Sequence, residues 1–410
     1  MRRYWFMSLF LALFGSLFGC SGVASSPTCS ASGVGGGATD SCGTGGSGTG
    51  GAAVSPGNVQ SIAVGDLAAC ALLNNKTIKC WGFNSKGQLG NGTTNASSTP
   101  VLVSGISNAT SIASVGWHAC AILSDATVKC WGQNDYQQLG SAVGATSLTP
   151  VAVPNVTNAT ALALGWNHTC ALINDGTMMC WGRCSNKQCG TGLSSVTTPP
   201  TKVSGVTSVK AISAYDYHTC ALLNAGSVQC WGETNLGTTA TTVDHDPTTV
   251  VDGSQNAIAG ITRIDSGLYA DYASGTGSLY AWGNNNGGSL GDGTFATSRL
   301  TAAAVTGISN PISISGGYAE ACAVLQDGTV QCWGENTSGE AGSDPNSYST
   351  LLSPRQVSGI ANVAQVSVGE GSACALRSDG NVYCWGNNYN GALGDGTTTN
   401  SFVPVHVIGL

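Results

Sequence analysis

The residues of this chain that could do chemistry recur at fixed spacing. Cysteines stand ten apart at Cys70 and Cys80, Cys120 and Cys130, Cys170 and Cys180, Cys220 and Cys230, Cys322 and Cys332, and Cys374 and Cys384. A histidine precedes the first cysteine by two residues at His118, His168 and His218. Thiols and imidazoles in this pattern pose a choice between zinc ligation, redox chemistry and disulfides. In HTCALINDGTMMCWG, from His168 to Gly182, Cys170 and Cys180 are equidistant from Asp175. A hairpin centred there sets them opposite each other, roughly 4.5 to 5.5 Å apart at Cα, within disulfide reach. Two cysteines per copy fall short of the three or four protein ligands that zinc takes. One further copy, GLYADYASGTGSLYAWG, carries Tyr272 and Ala281 at the two positions. Loss of both together is what a disulfide predicts, so these pairs are expected to be structural, each adding roughly 2 to 3 kcal/mol. The three histidines come from successive copies, too far apart for one ion with bonds near 2 Å, and are assigned to packing and hydrogen bonding. No metal, cofactor or catalytic residue is expected.

The elements that position these residues follow from the repeat itself. Trp81, Trp131, Trp181, Trp231, Trp282, Trp333 and Trp385 stand 50, 50, 50, 51, 51 and 52 residues apart, a period typical of repeat architectures. In the third copy, ATALALG (159–165) alternates as a strand, HTCALIN makes a second and TMMCWG a third across an Asp-Gly turn, and a fourth lies near TPPTKVSG. The expected fold is all-β: a seven-bladed β-propeller of four-stranded antiparallel blades over residues 57–410. Side chains alternate between strand faces, so each tryptophan lies on the face away from its cysteine and belongs to an interblade layer.

The repeat, seen in WHACAILSDATVKCWGQNDYQQLG and in CALRSDGNVYCWGNNYNGALGDGT, resembles that of the regulator of chromosome condensation family. The resemblance covers roughly residues 58–410 and itself implies a seven-bladed propeller. The family's namesake is a nuclear exchange factor for a small GTPase and binds chromatin. Exchange activity of that kind uses an inserted wedge, for which repeats of 50 to 52 residues leave no room.

The N-terminus sets the expected compartment. Arg2 and Arg3 precede an apolar run from Tyr4 to Gly19, the length of a secretory core and short for a membrane span. Leu17-Phe18-Gly19-Cys20 resembles a bacterial lipobox, with a bulky second position, which implies a signal peptide over 1–19 and lipid on Cys20. Residues 20–56 are rich in Gly, Ser and Thr and are expected to form a flexible tether. Of the 17 cysteines, the six repeat pairs, Cys184 with Cys189, and Cys29 with Cys42 leave Cys20 over, which agrees with an exported, lipid-anchored protein at the outer membrane or cell surface. Only 9% of residues are charged and the net charge is -7, which excludes a basic nucleic-acid surface. No GxSxG, phosphate loop or HExxH is present.

The loop between the first and second strands varies most in chemistry. Around the ring it offers Asp66, Trp117, His118, Trp166, His168, Asp216, Tyr217, His218, Tyr269, Tyr318, Glu320 and Glu370. These form a candidate partner-binding rosette at one end of the central channel, aromatic and acidic in character. The alternative is that the aromatics cap the blade cores. The function expected is a non-enzymatic, surface-tethered module that binds a protein. A carbohydrate or cell-wall binding module with Trp117 and Trp166 as stacking platforms is the second class, and an exchange factor is the third.

Overall fold

The structure, a computed structural model, describes residues 58–233, 237, 245–295 and 298–410. The signal peptide, the tether, Cys20 and the Cys29/Cys42 pair lie outside the described residues.

The third repeat shows how the sequence becomes a blade. Its strands are Ala159–Leu164, His168–Ile173, Met178–Gly182 and Thr198–Lys202, hydrogen-bonded side by side in chain order. The turn between the middle two is held by Asp175, whose Oδ1 accepts from the Thr177 N–H at 2.9 Å and its hydroxyl at 2.7 Å. The same four-stranded antiparallel sheet recurs over 59–102, 109–152, 159–202, 209–249, 261–304, 313–356 and 363–406. Among the described residues the only helical segments are single 3-10 turns, Asn286–Gly288 and Tyr389–Gly391. The first strand of every blade lines a central channel of about 310 Å³.

All six repeat cysteine pairs are directly opposed on the second and third strands and joined as disulfides. Their Cα atoms lie 4.0 to 4.1 Å apart, closer than the sequence estimate. Strand register explains this: Ile173 donates to Thr177 at the turn, so the opposed pairs alternate from there and Cys170 with Cys180 falls on a non-hydrogen-bonded pair, where strands approach most closely. In the fifth blade Tyr272 faces Ala281 in the same register.

The alternation of faces sets what packs between blades. Trp131 shares a buried core with Cys70 and Cys80 of the preceding blade, Trp181 with Cys120 and Cys130, and Trp231 with Cys170 and Cys180. Each layer therefore sets one blade's indole against its neighbour's disulfide. A buried indole N–H needs an acceptor, and it finds a backbone carbonyl of the preceding blade: Trp131 donates to Gln88, Trp181 to Gln138, Trp333 to Ser289 and Trp385 to Glu340, at 2.8 to 2.9 Å. Where the disulfide is missing, the Tyr272 ring meets Trp333 edge-on at 5.8 Å. Its hydroxyl donates to the same Ser289 carbonyl at 2.6 Å. The same packing constrains Gly140: its φ is 71°, and a Cβ there would sit 2.6 Å from Val153 Cγ1 and 3.0 Å from the Trp181 nitrogen.

The loop after the third strand is folded by an asparagine. Asn134 donates to the carbonyls of Ser141 and Gly144 and accepts from the Leu139 N–H at 3.0 Å. Asn84 with Leu89, Asn285 with Leu290 and Asn388 with Leu393 repeat the clamp. In the third blade these two positions are Cys184 and Cys189, and they are bonded to each other. A covalent link thus stands where five other blades use a hydrogen bond spanning five residues.

The final strand, Ser401–His406, pairs within its own blade, so the ring closes through side chains together with backbone bonds from Gly396 to Ser98 and from Val59 to Gly380. Trp81 donates to the Ala392 carbonyl at 2.9 Å, Gln365 bonds both the N–H and the carbonyl of Ile62, and Ser367 accepts from Val64.

The clamp equivalence predicts that Cys184→Ala with Cys189→Ala costs about 2 kcal/mol, whereas Cys184→Asn with Cys189→Leu recovers about half of it. Denaturant midpoints of the two double variants check the ordering.

Candidate functional site

The second strand starts and the third strand ends at the same edge of each blade. The loops that follow the first and third strands therefore emerge together on one face of the ring. Glycine makes this possible: Gly182 has φ 98°, and a Cβ there would lie 2.5 Å from the Asn167 carbonyl oxygen of the adjacent loop.

The structure divides the twelve rosette residues into two levels. Asp66, His118, His168, His218 and Glu320 are buried beneath the face, at 5% exposure or less. Trp166, Asp216, Tyr217, Tyr269 and Tyr318 are half-buried, and Trp117 and Glu370 are exposed. The five buried residues are thereby removed from the expected contact surface, because their side chains are consumed by bonds between blades.

The lower level is a polar floor. His118 Nε2 lies 2.9 Å from the Thr169 hydroxyl, and His168 Nε2 lies 2.9 Å from the Thr219 hydroxyl. Those hydroxyls donate onward to the carbonyls of Gln138 and Gln188, so each must accept from the imidazole, which places the proton on Nε2. Burial holds both histidines neutral, with pKa values lowered to about 3. In the next blade His218 meets Asp271 at 2.8 Å. Burial opposes charge on His218, but the Asp271 carboxylate outweighs it and raises the pKa. In the sixth blade Glu320 occupies the histidine position and accepts from the N–H groups of Ala319 and Gly371. Burial pushes its pKa well up, with Glu340 adding to the effect.

At the channel mouth the Tyr215 hydroxyl donates to Asp66 Oδ1 at 3.4 Å. Tyr215 belongs to the fourth blade and Asp66 to the first, so this bond crosses the channel and closes its end. The sequence pattern does not single out Tyr215, because its role depends on a partner three blades away.

The upper level is aromatic. Phe83 and Trp117 meet edge-on at 6.5 Å, Trp166 and Tyr217 at 6.4 Å, and Tyr269 and Tyr318 at 5.2 Å. Lys86 sits 5.9 Å from the Trp117 ring, and Arg183 lies 4.9 Å from Tyr217 and 5.3 Å from Tyr136. Phe83, Tyr136 and Arg183 come from the loop after the third strand, which sequence reasoning had assigned no role. The position after Trp-Gly was the available signal.

The arrangement suits binding rather than covalent chemistry. The histidines lie beneath the face with their Nε2 atoms engaged, out of reach of a substrate. Cys220, Cys230 and Asp271 place ligand atoms within 4.8 Å of one another, but the two sulfurs are bonded together and offer no thiolate for a metal.

The Asp66 carboxyl has a testable electrostatic signature. Burial, with Glu370 beside it, raises its pKa from 3.8 to about 7. Between those values the fold keeps a proton that the unfolded chain has released. Its contribution is therefore complete below the unfolded pKa and is lost as pH rises through about 7. Asp66→Asn should remove this dependence and make stability at pH 8 relative to pH 4 higher than in wild type by up to roughly 4 kcal/mol. Denaturation midpoints of both proteins across that range measure it.

Two family profiles, each described as the regulator of chromosome condensation (RCC1) repeat, match the chain. One matches at 59–88, 109–138, 159–190, 209–237, 312–340 and 363–392, and the other at 80–122, 126–172 and 379–410. Protein pim1 of Schizosaccharomyces pombe is 31% identical over 160 residues, which is 34% of this chain and 30% of that protein. The human E3 ubiquitin-protein ligase HERC2 is 31% identical over 148 residues, 35% of this chain and 3% of the ligase. The chain thus spans less than a third of the length of these curated relatives. Among solved structures, human WBSCR16 is similar with a TM-score of 0.70 and 20% identity, covering 82% of this chain and 94% of that one. Prp20p of Saccharomyces cerevisiae, described with its binding to Gsp1p and histones, has a TM-score of 0.68 and 22% identity, covering 84% and 87%. At these identities the structural likeness establishes the fold alone. With the repeat profiles covering more than half of its length, the chain belongs to the regulator of chromosome condensation repeat family.

Proposed function

We propose that the chain is a non-enzymatic module that binds a protein partner through the aromatic loop face. The carrying observation is the set of edge-on aromatic pairs held over a hydrogen-bonded polar floor. Large, rigid, half-buried rings lose little conformational freedom on binding and dominate protein interfaces. The partners named for Prp20p, Gsp1p and histones, support a protein ligand as the general use of this fold.

The proposed setting is the cell envelope. Seven disulfides among the described residues fit an oxidising compartment. The lipobox-like Cys20 and the Gly/Ser/Thr-rich segment 20–56 supply an anchor and a tether in this reading. A cytosolic GTPase would be out of reach of such a protein, which sets exchange activity aside.

The test is capture from host envelope extract with the full chain, beside a variant carrying Trp117→Ala, Trp166→Ala and Tyr217→Ala. A partner recovered by wild type should bind the variant at least about tenfold more weakly while its denaturation midpoint stays close to wild type. Equal recovery by both would assign these rings to core capping. Recovery of polysaccharide in place of protein would favour the glycan-binding reading, with Trp117 as its platform.

A further inference from the structure

One cation on the loop face lacks a counter-ion. Among the described residues Arg183 forms no ion pair, although Asp216 and Glu233 border it. Its guanidinium lies between the rings of Tyr136 and Tyr217, from the second and fourth blades. Its Nε donates to Ser185 at 2.9 Å and one Nη1 hydrogen points to the Tyr217 hydroxyl at 3.4 Å. Among the described residues three of its five donors have no protein acceptor, and none of them is among the sealed, unsatisfied atoms. The guanidinium fork is thus flanked by two rings, and its spare donors are not sealed within the protein.

The surroundings keep that fork vacant. Glu233 is engaged by the Asn186 amide at 2.8 Å. Asp216 is held with φ 41°, a left-handed conformation for a residue with a side chain, and its Oδ1 is buried without a hydrogen-bond partner. Strain of this kind persists only where neighbouring structure imposes it. The Trp166 indole nitrogen, packed edge-on against Tyr217, is likewise buried and unpartnered.

We propose that Arg183, Tyr136, Tyr217, Trp166 and Asp216 form a carboxylate-recognition site that receives an acidic side chain of the protein partner. The inference deepens the protein-binding reading and rests on it. A guanidinium fork with free parallel donors matches the two oxygens of a carboxylate. A phosphate dianion fits poorly, because Asp216 and Glu233 flank the site and repel a second negative charge. A carboxylate brings a single charge, and protonation of Asp216 lessens the repulsion it meets. His218, Glu233 and Arg183 act on Asp216, and Asp66 and Tyr217 also interact with its charge. Burial raises the Asp216 pKa to about 7, so its neutral form grows as pH falls from 8 to 6, the repulsion weakens and binding should tighten over that range.

The probes are acetyl-Gly-Glu-Gly-Glu-Gly-amide and its Gln and Lys counterparts, titrated into the purified full chain. Binding is followed by the NMR signal of the Trp166 indole N–H, which packs beside Tyr217, is retained in Arg183→Lys and Asp216→Asn, and is identified by its loss in Trp166→Phe. The Glu peptide alone should shift this signal, and Arg183→Lys, which keeps the charge but not the fork, should weaken binding at least about tenfold. Asp216→Asn should retain binding while flattening its dependence on pH. No shift at about 10 mM Glu peptide, an equal shift by the Gln peptide, or equal binding by Arg183→Lys would overturn the proposal. The envelope capture separates the two readings: a partner retained equally by wild type and Arg183→Lys leaves protein binding standing and removes the carboxylate site. Specific Glu-peptide binding without any captured protein supports the site and counts against the wider reading.

Discussion

The rest of the structure depends on the contact between each tryptophan and the blade before it. A fully buried indole is costly unless its N–H is satisfied. For six of the seven indoles the acceptor is a backbone carbonyl in the preceding blade, in the loop after its third strand, and among the described residues Trp282 has none. One side chain therefore does two things: it fills the layer against the neighbouring disulfide and fixes the distance and angle between blades. Because the accepting carbonyl belongs to the loop face, the packing that closes the ring also positions the surface. The fifth blade shows how strong the constraint is, since Tyr272 replaces a disulfide and still returns to the same carbonyl as Trp333.

The loop face inherits its rigidity from this arrangement. In the third and fourth blades, Thr169 and Thr219 donate to the carbonyls already used by Trp181 and Trp231, and accept from histidines of the preceding blades. The polar chain runs from blade to blade under the aromatics and ends at the His218–Asp271 pair. Rings resting on such a floor are organised before a partner arrives, which lowers the ordering cost of binding.

The architecture was legible in the sequence because its causes are local and repeated. The Cys-Trp-Gly period, the Asp-Gly turn and the joint loss at Tyr272 and Ala281 carry strand order, register and disulfide pairing. The site was legible only in part. His118 and Trp117 are neighbours in sequence, and alternation places one beneath the face and the other on it, yet burial depends on what the next blade offers. Tyr215 reaches Asp66 across the channel, a contact between blades 149 residues apart that no local pattern encodes. Cys184 and Cys189 were visible as a pair. Their meaning appears only when they are aligned with Asn134 and Leu139 of the preceding repeat, whose hydrogen bond they replace.

The central claim is that one face of the ring, and not its opposite face or its outer strands, meets the partner. Hydroxyl-radical footprinting of the full chain, carried out in intact host envelopes and again on the purified protein, tests it directly. The account predicts that Trp117, Tyr217, Tyr269 and Tyr318 are shielded in the envelope, while residues of the opposite turns such as Ile408 and residues of the outer strands such as Phe402 label equally in both. Shielding confined to those turns or outer strands, or none at any position, would contradict it.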